Sequence, residues 1–233
     1  MGFLKGVEYL DHLAYDSVIF GFAGDNLKIL LMEYHDTALF ALPGGFVQVD
    51  EDLNEAVSRG LAERTGIQNV YLEQFYTFGD AKRNLTGEMN KILNANNLGD
   101  DSLKWILNRF VSVAYLALIN YKNVNPRPDE ISDSCTWYDV NNLPPLIQDH
   151  STIVEKALIT LQSQLDHKLP IYELLEEQFT MAELQRVYEV ILNESLHRGS
   201  FQRKMLSLGI LKRHEKQFNG GAHKAPYLYS FLK

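Results

Sequence analysis

Residues 44–67 read GGFVQVDEDLNEAVSRGLAERTGI, and this stretch constrains the fold more than any other. It opens on a glycine pair after Pro43, crosses a polar turn and becomes a helix with one apolar stripe. Over residues 51–64 the stripe is Leu53, Ala56, Val57 and Leu61, the spacing of one face of a 3.6-residue helix. Gly66 is placed to end it. Such a helix must lay its stripe on another surface, and the chain before it supplies one. Residues 14–34 hold two β-rich runs around Gly24-Asp25-Asn26, which predicts a hairpin. Val18, Ile19, Phe20 and Phe22, and then residues 29–32, are apolar without strict alternation, as in a sheet covered on both faces. Residues 71–78, 110–119 and 136–140 predict further strands. Residues 151–165 predict a helix with Ile153, Val154, Ala157, Leu158 and Leu161 on one face.

Residues 85–108 carry two short helical patterns around a polar centre that contains Gly99. They predict an excursion from the sheet, read as a surface ornament, with a lid or a dimer contact as the alternative. Pro144-Pro145 stops the sheet region, and residues 166–170 break the helical pattern. The domain boundary is placed there, giving 1–165 and 166–233. Beyond it three helical segments are predicted, at 171–178, 181–192 and 198–208, with Thr180 and Glu183 as a capping box for the second. Short strands at 210–214 and 227–232 follow, around a glycine-rich turn. Helix, helix, helix, strand, turn, strand is the order of a winged helix-turn-helix.

The net charge of −8 argues against a polyanionic partner until the chain is divided. Residues 194–233 hold eight Lys/Arg against Glu194 and Glu215, a surplus of +6, while the remainder carries 14 basic against 28 acidic groups. Asymmetry of this kind points to one end that meets a polyanion. In the third C-terminal helix Phe201, Met205 and Leu208 share a face, predicted to be core. That leaves Arg198, Ser200, Gln202 and Arg203 for base edges in a major groove, and Lys204, Lys212, Lys216, His223 and Lys224 for the backbone or the adjoining groove. One cysteine, Cys135, excludes an intramolecular disulfide and a cysteine-built zinc site, and fits a reducing compartment. The longest apolar run, residues 110–119, is half of the ~20 residues a membrane helix needs. The first dozen residues lack the apolar core of a signal peptide. A cytoplasmic protein with no membrane partner is expected.

The segment from Gly45 resembles the Nudix box, G-x5-E-x7-R-E-U-x-E-E-x-G-U with U aliphatic. Gly45, Glu51, Arg59, Leu61, Glu63, Gly66 and Ile67 stand where the pattern asks, seven of its nine specified positions. Gly60 and Arg64 stand where it asks for glutamate. Positions 60, 63 and 64 share one helix face. In the Nudix family the carboxylates there hold Mg²⁺ against a diphosphate. Here Glu63 alone remains, Arg59 is expected to pair with it across one turn, and Glu51 is left as a lone candidate ligand. No metal, no cofactor and no catalytic residue is expected.

A Nudix-like domain followed by a winged helix is similar to the Nudix-related transcriptional regulators, the NrtR-type family. Residues 76–80, 112–118, 143–146, 149–150 and 225–229 carry the same likeness. The resemblance implies an α+β chain, with an αβα sandwich around a mixed sheet and then a winged helix. It implies a homodimer on palindromic operator DNA, released by a small-molecule effector. Effectors in the family include ADP-ribose in an NAD-linked branch and a pentose such as arabinose in a sugar branch. Gly60 and Arg64 look like the sugar branch, whose boxes are degraded. Phe46, Gln48, Asp80 and Arg83 flank the family's substrate cleft and are the expected effector contacts. The expected function is a ligand-responsive repressor of sugar or nucleotide-cofactor metabolism. The rivals are a Mg²⁺-dependent Nudix pyrophosphohydrolase acting on ADP-ribose or nucleotide sugars, and a metabolite-sensing scaffold whose winged helix meets protein.

Overall fold

A computed structural model describes residues 7–83, 86–98, 101–166, 171–216 and 225–232. Among these, seven strands form one mixed sheet. The predicted hairpin is β1 (Tyr9–Phe22) and β2 (Leu27–Tyr34), turned at Gly24 with φ +72°. β3 (Leu39–Ala41) continues beyond β2, while β4 (Gly44–Gln48) pairs with the first half of β1. The helix α1 (Leu53–Thr65) follows, ended by Gly66 in the left-handed conformation, φ +73°. Next come β5 (Glu73–Phe78), α2 (Thr86–Ala95) and a 3-10 helix (Asp101–Leu107). β6 (Val111–Ile119) lies parallel to β1 over nine residue pairs, Leu13 opposite Val111 and Gly21 opposite Ile119. β7 (Ser132–Asp139) pairs with β2, and α3 (His150–Gln164) closes this part.

Side chains on successive strand residues point to opposite faces, and here both faces are buried. Val18, Phe20, Ile29, Leu31, Leu116 and Leu118 meet Ile153, Val154, Ala157 and Leu161 of α3. Ile19, Leu30, Met32 and Ala117 pack with Leu61 of α1, and Tyr15, Val47 and Tyr115 with its Ala56 and Val57. The unbroken apolar runs of the sequence are thus explained, because each odd and each even position has a helix to meet.

The C-terminal segment begins with one 3-10 turn (Ile171–Leu174), where an α-helix over 171–178 was expected. The correction has a geometric cause: the chain must extend by β8 (Phe179–Thr180), where Phe179 pairs with Tyr229. α4 (Met181–Leu192) starts on the predicted capping box. The Thr180 amide donates to Glu183 at 2.6 Å and the Glu183 amide to the Thr180 hydroxyl at 3.2 Å. α5 (Arg198–Ser207), β9 (Leu211–Lys216) and β10 (Tyr227–Phe231) complete a winged helix whose sheet order is β8-β10-β9. Phe201 and Met205 are core, as expected, but Leu208 is 36% exposed. α5 stops at Ser207 and Gly209 turns the chain at φ +67°, so Leu208 never completes the apolar stripe. The same apolar cluster runs from the α3 face of the sheet through Leu174, Leu184, Val187 and Ile191 to Met205 and Tyr229.

Candidate functional site

The box helix keeps the fold of its pattern with different chemistry on its face. Arg59 donates to Glu51 from Nε at 2.8 Å and Nη2 at 2.6 Å, to Glu63 from Nη1 at 2.9 Å, and to the Phe46 carbonyl at 3.2 Å. This guanidinium holds the Glu51 carboxyl below the usual carboxylate range. The expected Arg59–Glu63 pair is present. Glu51, expected as a lone candidate ligand, is committed to Arg59 and to the Gln48 amide at 2.8 Å. Arg64 is buried, ion-paired with Asp129 at 3.1 Å, and donates to the Tyr34 hydroxyl at 3.0 Å. A buried charge is tolerated only with such partners. A Cβ on Gly60 would overlap the Tyr15 hydroxyl oxygen and lie 2.8 Å from its Cζ. Gly60 is therefore a packing requirement of Tyr15, a role no helical pattern reveals. The Mg²⁺ that a Nudix fold implies does not fit these residues. One carboxylate position is filled by a tyrosine ring, another by a guanidinium, and both surviving glutamates grip an arginine.

Next to the box helix lies a pocket between β1, β4, α1 and the 86–107 excursion. Phe46, Met89, Ile92, Leu98, Ile106 and Phe110 give it apolar walls, and Asp16, Arg83, Gln148 and His150 give it a polar end. The excursion is no surface ornament. Ile92, Leu93, Leu98, Leu103 and Ile106 are buried with Tyr34, Ala41, Ile131 and Ile147 in one apolar cluster. Trp105 stacks on Tyr9 at 5.6 Å and meets Phe46 edge-on at 4.7 Å.

Of the four expected effector contacts, Phe46 and Arg83 line the pocket. Asp80 lies in an adjoining open groove with Tyr76, Lys82, Asp149 and Thr152, and its carboxylate accepts from the Lys82 amide at 2.8 Å. Gln48, at the end of β4, lines neither. Arg83 is not an open side chain. Its Nε lies 2.9 Å from both Asp149 oxygens and its Nη2 donates to Asp16 at 3.1 Å. Asp16 also accepts from Ser112 at 2.6 Å, and its other oxygen faces His150 Nε2 at 3.5 Å. His150 Nδ1 accepts from the Leu42 amide at 3.0 Å. Asp16 and His150 were absent from the expected site. An aspartate inside an otherwise apolar strand was the signal that a buried cation had to be near.

On the winged helix Arg198, Ser200 and Arg203 are exposed, and Gln202 is half-buried. Lys204 is not a free phosphate contact, because its Nζ bonds Asp166 at 2.6 Å. Lys212 is exposed on β9, while Lys216 lies over the Tyr227 ring at 5.1 Å beside Arg213 at 4.7 Å. Arg213 was missed, though it adds to the same basic strand. His197, also missed, caps α5. His223 and Lys224 lie outside the described residues.

Two outcomes follow from the packing. Gly60→Ala should lower stability by about 1–3 kcal/mol through overpacking, although the same change in an open helix interior stabilises by about 1 kcal/mol. Tyr15→Phe should relieve part of that loss, and urea melts of the four-member cycle measure it; a stabilising Gly60→Ala refutes the contact. Burial also depresses the imidazolium of His150 below the ordinary 6.5. The folded state then binds the proton more weakly than the unfolded one, so its stabilisation is complete above 6.5 and is lost as pH falls through the folded value. An NMR titration should find the His150 ring still neutral below 6.5.

Comparison with known proteins agrees with this architecture. Residues 11–157 match the NUDIX domain, and residues 171–231 match the NrtR DNA-binding winged helix domain. An ADPR responsive transcriptional repressor NtrR of Acinetobacter baylyi is 30% identical, over 93% of this chain and 80% of that protein. The crystal structure of Shewanella oneidensis NrtR superposes with TM-score 0.72 at 28% identity, covering 95% of this chain and 94% of that one. Its complex with a 27mer DNA gives 0.71 at 27%, covering 94% and 93%. The NUDIX domain of the same protein complexed with ADP ribose gives 0.51 at 28%, covering 65% and 89%. With a Nudix sandwich, a rewritten box and a winged helix matched along nearly its whole length, the chain belongs to the NrtR-type family of Nudix-related transcriptional regulators.

Proposed function

We propose that the chain is a transcriptional repressor whose winged helix binds operator DNA and whose Nudix domain binds ADP-ribose without hydrolysing it. The observation that carries this is the box face: Gly60 against Tyr15, Arg64 with Asp129, and Glu51 with Glu63 on Arg59. A metal-dependent hydrolase needs free carboxylates there. The pocket itself supports a nucleotide-like ligand. Aromatic walls at Tyr9 and Phe46 suit a base, and the end with Arg83, Gln148 and His150 suits hydroxyls or phosphate. The sugar-branch expectation drawn from Gly60 and Arg64 is set aside, because the Acinetobacter relative is an ADPR responsive repressor. The proposed effector contacts are now Phe46 and Arg83 with Tyr9, Gln148 and His150. A homodimer on a palindrome completes the proposal, since two winged helices then meet successive turns of one duplex face.

ADP-ribose should raise the melting temperature by mass action. With Mg²⁺ or Mn²⁺, its turnover should not exceed a buffer blank. Metal-dependent hydrolysis that disappears in Glu63→Gln would instead make the chain an enzyme.

For the DNA face, fluorescence anisotropy should separate two classes of side chain. Arg203→Ala should weaken operator binding by ~1–3 kcal/mol and relax specificity at one position of each half-site. Lys212→Ala should weaken all duplexes alike and reduce the salt slope by about one. If neither change alters affinity for any duplex, the winged helix reads no DNA and the scaffold rival takes its place.

A further inference from the structure

Helix α3 has a carboxylate held at each end. At its start, Asp149 occupies the N-cap, where an aspartate ordinarily accepts a backbone amide of its own helix. Here it makes no such bond, and both its oxygens lie 2.9 Å from Arg83 Nε. Arg83 in turn lines the pocket, reaching Asp16 at 3.1 Å. Two residues past the helix, Asp166 accepts from Lys204 of α5 at 2.6 Å. Between these ends α3 spans 15 residues, about 22 Å at 1.5 Å per residue. Ile153, Val154, Ala157 and Leu161 press it onto the sheet, and Gln162 donates to the Ile191 carbonyl of α4 at 2.8 Å.

We infer that α3 is the lever between the effector pocket and the DNA-reading helix, with Arg83–Asp149 as its input contact and Asp166–Lys204 as its output contact. This rests on the effector reading proposed above. A ligand shifts a conformational equilibrium only through contacts that differ between the two states, and Asp149 has two competing partners. An anionic or hydroxyl-rich effector that engages Arg83 from the pocket draws the guanidinium from Asp149. The freed carboxylate then turns to the amides of its own first turn, where helix capping and the helix dipole both favour it. The start of α3 is thereby rebuilt, and its far end carries the change to Asp166. Lys204 is either bound to Asp166 or released toward phosphate. Asp149 and Asp166 are positioning residues, one remote from DNA and the other remote from the pocket, and the test uses that separation.

ADP-ribose affinity is measured by calorimetry, and DNA affinity by anisotropy on the duplex that binds best in a random-sequence selection. Both are repeated with the other ligand present, on the full chain. For the wild type, ADP-ribose should change DNA affinity by about 5–150-fold, and DNA should change ADP-ribose affinity by the same factor. Asp166→Asn should leave ADP-ribose affinity within about twofold, and Asp149→Asn should leave DNA affinity within about twofold, while the coupling factor falls toward one in both. Full wild-type coupling in either variant overturns the lever. So does a wild type that binds ADP-ribose with no effect on DNA. Absence of ADP-ribose binding to the wild type overturns instead the effector reading beneath it. Circular dichroism melts establish that each variant folds. Should Asp149→Asn not fold, Asp166→Asn decides alone, because its side chain is 26% exposed.

Discussion

A carboxylate in the middle of a covered sheet must gather cations and donors around it, and Asp16 sits there, 6% exposed on β1. Its partners come from three separate parts of the chain. Ser112 reaches it from β6, two residues along from its pairing partner Ala114, Arg83 arrives from the loop after β5, and His150 opens α3. Satisfying one charge therefore fixes how a strand, a loop and a helix meet. Breaking such a buried pair by removing one partner typically costs about 3–5 kcal/mol, because the other charge is left unpaired. The pocket and the start of α3 are both built on this cluster.

The box helix shows how a fold outlives a chemistry. Gly45, Gly66 and the apolar stripe serve backbone turns and packing, and these survive. The departures are internally consistent: where a metal face is lost, each replacement has acquired a partner of its own. Gly60 admits Tyr15, and Arg64 is neutralised by Asp129. Reversal by single substitution is correspondingly hard. A glutamate at 60 meets the tyrosine, and one at 64 leaves Asp129 facing a second negative charge in a buried site.

Charge is distributed with similar economy. The acidic excess lies before residue 194, while the exposed Arg198, Arg203 and Lys212 place basic groups on α5 and β9. α2 and the 3-10 helix bury apolar side chains with Tyr34, Ala41, Ile131 and Ile147, and Met89, Ile92, Leu98 and Ile106 give the pocket aliphatic walls. The pocket is thus walled mainly by the apolar cluster of α2 and the 3-10 helix, and the basic surface belongs to the winged helix.

Much of this was legible from sequence, because periodicity and caps act locally. The hairpin, α1 with its Gly66 stop, the Thr180–Glu183 cap, α4 and the winged-helix order need only neighbours within a few residues. The loss of two box glutamates is likewise a matter of reading positions 60 and 64. What the sequence left open depended on distant partners. Arg83 and Asp149 lie 66 positions apart, Arg64 and Tyr34 lie 30 apart, and Lys204 and Asp166 lie 38 apart. No local rule says which charge meets which. The 85–108 segment read as an ornament because Tyr34, Ala41, Ile131 and Ile147, with which its apolar residues are buried, are distant in sequence. Residues 171–178 read as a helix because the partner that extends the chain just after them at β8, the strand β10, lies about fifty residues further on. Propensity and spacing decided the elements, and long-range burial decided which side chains were free to act.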